Sequence, residues 1–152
     1  MARLPSSVLF ACSYNSVRSP IAAALMKRLH GHRIFVDSVG VRGTPVDPFV
    51  VAVMAELGID VSAHQPKTFA ALEDTSFDLV VSLSPEAQYR AVELTRTMAC
   101  EVEFWPVLDP AAVEGSRAER LAAYRRLRDH LSERIRARFP PPAEAGPSAA
   151  GS

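Results

Sequence analysis

Two short apolar runs constrain this chain most. Val8-Leu9-Phe10-Ala11 is wholly apolar, and Phe77-Asp78-Leu79-Val80-Val81-Ser82-Leu83 is mostly so. Neither alternates cleanly, as a strand with one wet face would. Such strands need cover on both faces, the condition of a parallel sheet held between helices. A helix start follows each run: Ser19-Pro20 after the first and Ser84-Pro85-Glu86 after the second. Serine can cap the helix, and proline sits in the first turn, where its missing N–H costs little. Strands alternating with helices imply right-handed crossovers and helices on both sheet faces.

The remaining elements fit this plan. The first helix runs through Ala22-Ala23-Ala24-Leu25-Met26 to Leu29, with Gly31 as its terminator, and Ile34-Phe35-Val36 reads as the second strand. A loop marked by Gly and Pro covers 39–46. Asp47-Pro48 opens a helix from Phe49 to Leu57 that Gly58 closes. Residues 59–71 read as irregular. The third helix is expected to reach about Thr97. Glu101-Val102-Glu103-Phe104-Trp105 alternates, as an edge strand with one wet face does. Ser116-Arg117-Ala118-Glu119 is a capping-box pattern. Behind it Leu121, Tyr124, Leu127, Leu131 and Ile135 step along one helical stripe that faces the sheet. The expected organisation is one domain, 1–139, and a disordered Pro/Ala/Gly-rich tail, 140–152.

Composition narrows the function. The chain has 152 residues and a formal net charge of zero. No apolar run approaches the ~20 residues of a membrane span. The N-terminus lacks the layout of a signal peptide, so the expected location is cytoplasmic. Two cysteines, Cys12 and Cys100, do not make a disulfide scaffold. Charge is unevenly spread: residues 1–46 hold six Lys/Arg against Asp37 alone; solvated faces of alternating sign are the plain reading, and steering of an anion toward the first loop is the sharper one. No basic stripe interleaved with aromatics points to nucleic acid. The expected state is a monomer or weak dimer, with neither nucleic acid nor membrane as partner.

The first loop carries the chemistry. Cys12-Ser13-Tyr14-Asn15-Ser16-Val17-Arg18 joins the carboxyl end of a buried strand to a helix N-terminus, where ligands of such sheets bind. Cysteine attacks as the thiolate. Loop N–H groups, the helix N-terminus and Arg18 all favour negative charge there. The same donors, on Ser13, Tyr14, Asn15, Ser16, Val17 and Ser19, would hold phosphoryl oxygens, and Arg18 offers a planar two-pronged grip. Ser19 can donate to the Cys12 sulfur, and Asn15 suits a left-handed turn. A buried structural cysteine near a surface arginine is the plain alternative.

Residues 8–22, VLFACSYNSVRSPIA, resemble the signature of low-molecular-weight protein tyrosine phosphatases and the related thioredoxin-coupled arsenate reductases. The resemblance continues in Asp37-Ser38-Val39-Gly40, Asp47-Pro48, Glu56-Leu57-Gly58-Ile59-Asp60, Ser62-Ala63-His64 and Trp105-Pro106-Val107-Leu108-Asp109-Pro110, and spans about residues 7–139. It implies a three-layer α/β sandwich whose four-stranded parallel sheet has order 2-1-3-4. It implies Cys12 as nucleophile, Arg18 as transition-state ligand and Asp109 as general acid and then base. Asn15, Ser38 and His64 would support the loop. No metal or cofactor is required, and the substrate would be a phosphoprotein or a small phosphomonoester.

The chain departs from that pattern at four places. Tyr14 stands where glycine is usual and Val17 where a second cysteine is common. The 40–46 loop is short, and Ala111-Ala112 follow Asp109-Pro110 where phosphotyrosine-directed members place aromatics. Three readings therefore stand: a phosphomonoester hydrolase, an arsenate reductase, and a non-catalytic phosphate-binding protein. The segment after the third strand, where such reductases carry resolving thiols, has no cysteine, which leaves only Cys100 for that role. His30-Gly31-His32 reads as a helix end rather than a metal pair, because no third ligand is near. Asp109 alone would read as a loop cap, and His64 alone as a surface histidine.

Overall fold

In the computed structural model, which describes residues 4–72 and 76–141, four parallel strands form one sheet of order β2-β1-β3-β4. The strands are β1 (Ser7–Cys12), β2 (Phe35–Gly40), β3 (Leu79–Ser82) and β4 (Glu101–Phe104). The helices are α1 (Arg18–His30), α2 (Pro48–Ala55), α3 (Pro85–Leu94) and α4 (Arg117–Arg138), with short 3-10 turns at Phe69–Ala71 and Pro110–Ala112. The architecture is the expected α/β sandwich.

The apolar runs divide by pleat. Val8, Phe10 and Cys12 face a core built with α1, α2 and α4, whereas Leu9 and Ala11 face a smaller core completed by Ala87 and Ala91 of α3, Phe69 and Phe77. All six residues of β1 are buried. Tyr124, Leu127, Leu131 and Ile135 carry the α4 stripe into the larger core, while Leu121 is only partly covered. Both ring nitrogens of His30 are engaged inside the fold, one with the Phe139 carbonyl and one with Arg33.

Several local expectations are corrected. Ser19 does not cap α1: the N-cap is Val17, with no side-chain cap. The Ser19 hydroxyl turns inward to the Cys12 sulfur instead. β2 runs to Gly40 rather than stopping near Val36, because residues 37–40 continue to pair with β1 from Leu9 to Cys12. Ser38 is thus on the strand. α3 stops at Leu94, where turns formed by Thr95, Arg96 and Thr97 replace the helix. β4 lacks a single wet face: Phe104 is 39% exposed, while Glu103 is half-buried because it accepts from Trp105 and Arg138. Asp47, Ser84 and Ser116 do cap their helices, the last in a complete capping box. Of the segment read as the tail, Pro140 is exposed and Pro141 buried, and 142–152 lie outside the described residues.

Candidate active site

The loop after β1 is shaped by hydrogen bonds that pull its carbonyls outward. Val41 donates to the Cys12 carbonyl (3.1 Å), Arg42 to Ser13 (2.8 Å), Thr44 to Tyr14 (3.1 Å) and Asp47 to Ser16 (3.1 Å). The peptide N–H groups of Tyr14 through Arg18 donate to no described residue. Five orphan donors thus converge on one loop, which continues directly into the uncapped N-terminus of α1. The first turn of α1 holds no acid, yet it holds the buried Arg18. A cation at the positive end of a helix is electrostatically unfavourable by itself. With the orphan N–H groups beside it, the arrangement is complementary to an anion.

Cys12 sits in this cradle, buried at the end of β1. Its sulfur accepts from the Ser19 N–H at 3.3 Å and lies 3.0 Å from the Ser19 hydroxyl. The Ser19 oxygen also lies 3.2 Å from the Val39 carbonyl. One hydroxyl proton therefore has two acceptors. With a thiol at Cys12 it can go to Val39, and with a thiolate it can turn to sulfur.

Asn15 locks the loop from within. It is fully buried and adopts φ 55°, the left-handed region that asparagine tolerates better than most residues. Its amide orientation follows from its partners. Lys67 N–H, an obligatory donor, meets Oδ1 at 2.8 Å, so Nδ2 must be the atom that donates to Ser19 Oγ (2.9 Å) and Ser38 Oγ (3.0 Å). His64 Nε2 lies 3.0 Å from the Asn15 carbonyl oxygen and 3.1 Å from Oδ1. Both are acceptors, so His64 carries its proton on Nε2. Asn15, Ser19, Ser38 and His64 thus form one network behind the cysteine.

Burial is the main cause holding the His64 pKa below its ordinary value, and Lys27 and Lys67 add to it. The folded state therefore binds that proton more weakly than the unfolded chain. Stability from this group is full above about pH 6.5 and is lost as pH falls through the lowered folded value. Replacing His64 with Gln should flatten that part of the melting-temperature profile between pH 7.5 and 5. Parallel profiles for the two proteins would contradict the assignment.

Arg18 is fixed from two sides. It donates to the Val107 carbonyl (3.1 Å) and to Ser13 Oγ (3.4 Å), and Ser13 Oγ in turn donates to Ser84 (3.1 Å). Its guanidinium lies 3.9 Å from the Asp109 carboxylate. Asp109 also caps the short turn at Pro110–Ala112, accepting from Ala111 N–H at 2.9 Å. One carboxylate oxygen holds the backbone while the other faces Arg18. Tyr14, 43% exposed, stands at the rim with the Arg42 guanidinium over its ring, and Arg42 pairs in turn with Glu86 at the start of α3. That pair holds the Glu86 carboxyl below its usual range. Val17 is buried in the core behind the loop, and Ser16 is half-buried.

The sequence reading missed Gly40. A side chain there would place its Cβ 2.6 Å from Asn15 N and 2.8 Å from Tyr14 C, and in collision with the Arg42 carbonyl oxygen. Only the absence of a Cβ lets β2 and the loop touch. The glycine was visible in Asp37-Ser38-Val39-Gly40, but its neighbour is 25 positions away in sequence and becomes one only in the fold. Val107 and Ser84, which hold Arg18 and Ser13, are also set by tertiary position alone.

Cys100 lies far from this site. It precedes Glu101, which is level with Leu79 and hence with Val8, so it sits at the opposite end of the sheet from Cys12. Five residues of strand rise and two strand spacings separate the two Cα atoms by roughly 19 Å. A disulfide needs Cα atoms closer than about 7 Å. Burial also raises the Cys100 thiol pKa, which disfavours a reactive thiolate. Among the described residues no cluster of His, Cys, Asp and Glu could hold a metal ion, and no helix is long and apolar enough to cross a membrane.

Comparison with known proteins places these features in context. Residues 7–140 match the model of the low molecular weight phosphotyrosine protein phosphatases. An arsenate reductase of Halalkalibacterium halodurans is 33% identical over 129 residues, covering 85% of this chain and 91% of that protein. A mutant of YwlE from Bacillus subtilis superposes with a TM-score of 0.70 at 26% identity, covering 86% of this chain and 93% of the other. YwlE is described elsewhere as an arginine phosphatase. The low molecular weight protein tyrosine phosphatase from T. tengcongensis superposes with a TM-score of 0.70 at 25% identity, covering 85% and 94%.

Proposed function

The chain belongs to the low molecular weight phosphotyrosine protein phosphatase family, and from that premise we propose that it hydrolyses phosphomonoesters through a phosphocysteine intermediate on Cys12. The observation that carries this reading is the cradle itself. A buried cysteine accepts from a helix-terminal N–H, the loop that follows it holds five N–H groups with no partner among the described residues, and Arg18 and Asp109 stand together at its mouth.

In the first step the Cys12 thiolate attacks phosphorus. A P–S bond forms, the P–O bond to the leaving group breaks, and Asp109 gives its proton to the departing oxygen. The loop N–H groups and Arg18 hold the three equatorial oxygens as charge shifts through the transition state. In the second step water attacks phosphorus and Asp109 takes the water's proton. The P–S bond breaks, the Ser19 hydroxyl turns to the leaving thiolate, and inorganic phosphate departs. Asn15, Ser38 and His64 act by positioning the loop.

A second reading, arsenate reduction, is favoured by the Halalkalibacterium relative. Taking arsenic from +5 to +3 needs two electrons, supplied when two thiols become a disulfide. Cys100 lies too far from Cys12 to close that bridge in this fold, so the second thiol would have to be external. The geometry therefore favours hydrolysis.

A panel of p-nitrophenyl phosphate, phosphotyrosine and phosphoarginine separates the readings, run beside arsenate-dependent thiol consumption. Hydrolysis is expected in the parent protein and in Cys100→Ser, and none in Cys12→Ser. Arsenate-dependent thiol oxidation without phosphoester turnover would overturn the proposal in favour of the second reading.

A further inference from the structure

Beside the loop lies a groove of about 550 Å³ that the mechanism does not use. It is lined by Ser16 of the loop, by Thr44, Asp47 and Phe49, and by Arg117 and Arg120 from the first turns of α4. We propose that this groove binds a second anionic group of the substrate, a carboxylate or phosphate carried on the leaving-group side. The proposal rests on the phosphomonoesterase reading of Cys12.

The two arginines are held ready but unneutralised. Their guanidinium groups sit over the Phe49 ring, 5.3 Å and 4.6 Å from its centroid, and Phe49 is backed by Tyr124 at 5.1 Å. Stacking of this kind fixes the plane of a guanidinium while leaving its N–H edge free to bind. Neither arginine forms an ion pair with a described residue, although Arg18, Arg42, Arg125, Arg128 and Arg138 all do. The Arg120 Nε is buried with no hydrogen-bond partner among the described residues. An orphaned charged donor is costly, and it marks a guanidinium that no described residue compensates.

The acid in the groove keeps its charge but pairs with neither arginine. Both oxygens of Asp47 are engaged elsewhere, one accepting from Phe49 N–H (2.8 Å) and the other from the Tyr124 hydroxyl (2.6 Å). Glu119 is turned back to Ser116 in the capping box. The groove wall is tied to the phosphate cradle by the Asp47-to-Ser16 and Thr44-to-Tyr14 backbone bonds. A group bound there is thus held in fixed register with a phosphoryl group on Cys12. A paired, forked guanidinium site suits a carboxylate or phosphate rather than a neutral group.

Binding to the Cys12→Ser protein tests this without turnover. The probes are phenyl phosphate, 4-(2-carboxyethyl)phenyl phosphate and 2-(4-phosphonooxyphenyl)ethyl phosphate, read by calorimetry. At least one doubly anionic probe should bind about tenfold more tightly than phenyl phosphate. The carboxylate arm reports an acidic side chain beside the phosphorylated group, and the phosphate arm a second phosphoryl group. Adding Arg117→Met and Arg120→Met should remove that advantage and leave phenyl phosphate binding unchanged. Arg117→Lys with Arg120→Lys keeps the charge and should retain part of it, which guards against a packing effect of the shorter side chains. Equal affinity for all three probes, or an advantage that survives the Met pair, overturns the proposal. Failure of the hydrolytic reading shows differently, as an active-cysteine protein that binds these probes but never turns them over.

Discussion

Alanine at position 40 is expected to disable this protein more thoroughly than its size suggests. The added methyl would meet Asn15 N, Tyr14 C and the Arg42 carbonyl, all backbone atoms that cannot swing aside as a side-chain tip could. Overpacking of this kind costs about 3 kcal/mol. In a chain of this length that is roughly a 10 °C loss in melting temperature. Function should suffer separately. The loop can relieve the collision only by moving away from β2, and a shift of about 1 Å in a reacting geometry is enough to cost about a hundredfold in rate. Turnover of p-nitrophenyl phosphate measured well below the melting point of the variant distinguishes the two losses. Near-parental kcat in a folded Gly40→Ala protein would mean that the loop does not depend on its contact with β2.

Removing the Asp109 carboxylate should slow catalysis by about a hundred- to ten-thousandfold, the usual worth of general acid–base help. The size of the loss should depend on the leaving group. Phenolate is a poor leaving group without a proton, whereas p-nitrophenolate departs far more readily, so Asp109→Ala should penalise phenyl phosphate more. Affinity should move the other way. Asp109 lies 3.9 Å from Arg18, and deleting it removes a negative charge from the mouth of an anion site. Vanadate or phosphate should therefore bind Asp109→Ala as tightly as the parent or more so. Equal rate losses on both esters, or weakened vanadate binding, would show Asp109 to be only the cap that its bond to Ala111 makes it.

The fold was legible because its central strands advertise themselves. Val8 to Ala11 has no polar position to offer solvent, and the structure buries it completely. The helix starts at Asp47, Ser84 and Ser116 were equally plain, since a cap is a local bond between near neighbours. Ser19 misled for an instructive reason. The same hydroxyl that could cap α1 meets a buried sulfur, a buried asparagine and the Val39 carbonyl, and these buried partners outweigh a cap. The length of β2 was hidden too, because Asp37-Ser38 reads as polar punctuation until Asn15 and Lys67 turn those side chains into partners.

The candidate site was legible in its types but not in its geometry. Cys12, Arg18 and Asp109 stood out by residue and setting, and the fold brings all three to the carboxyl end of the sheet. That Arg18 hangs from the Val107 carbonyl, or that Gly40 admits the loop, depends on residues 89 and 25 positions apart. No period or spacing encodes that. Tyr14 was visible as an unusual loop residue, and the structure shows what occupies it: Arg42 stacked above and braced by Glu86. The groove at Arg117 and Arg120 gave no sequence signal beyond a basic helix, because its meaning comes from Phe49 beneath and Ser16 beside it.

The most direct test of the account is to trap the phosphoryl group on Cys12. In Asp109→Ala, p-nitrophenyl phosphate should still deliver its phosphoryl group, since its leaving group needs little protonation, while the attacking water has lost its base. Rapid denaturing quench followed by peptide mass spectrometry should then find one added phosphoryl group on the peptide carrying Cys12, and none in Cys12→Ser. Release of p-nitrophenol with no phosphoryl group on Cys12, or undiminished turnover by Cys12→Ser, would contradict it.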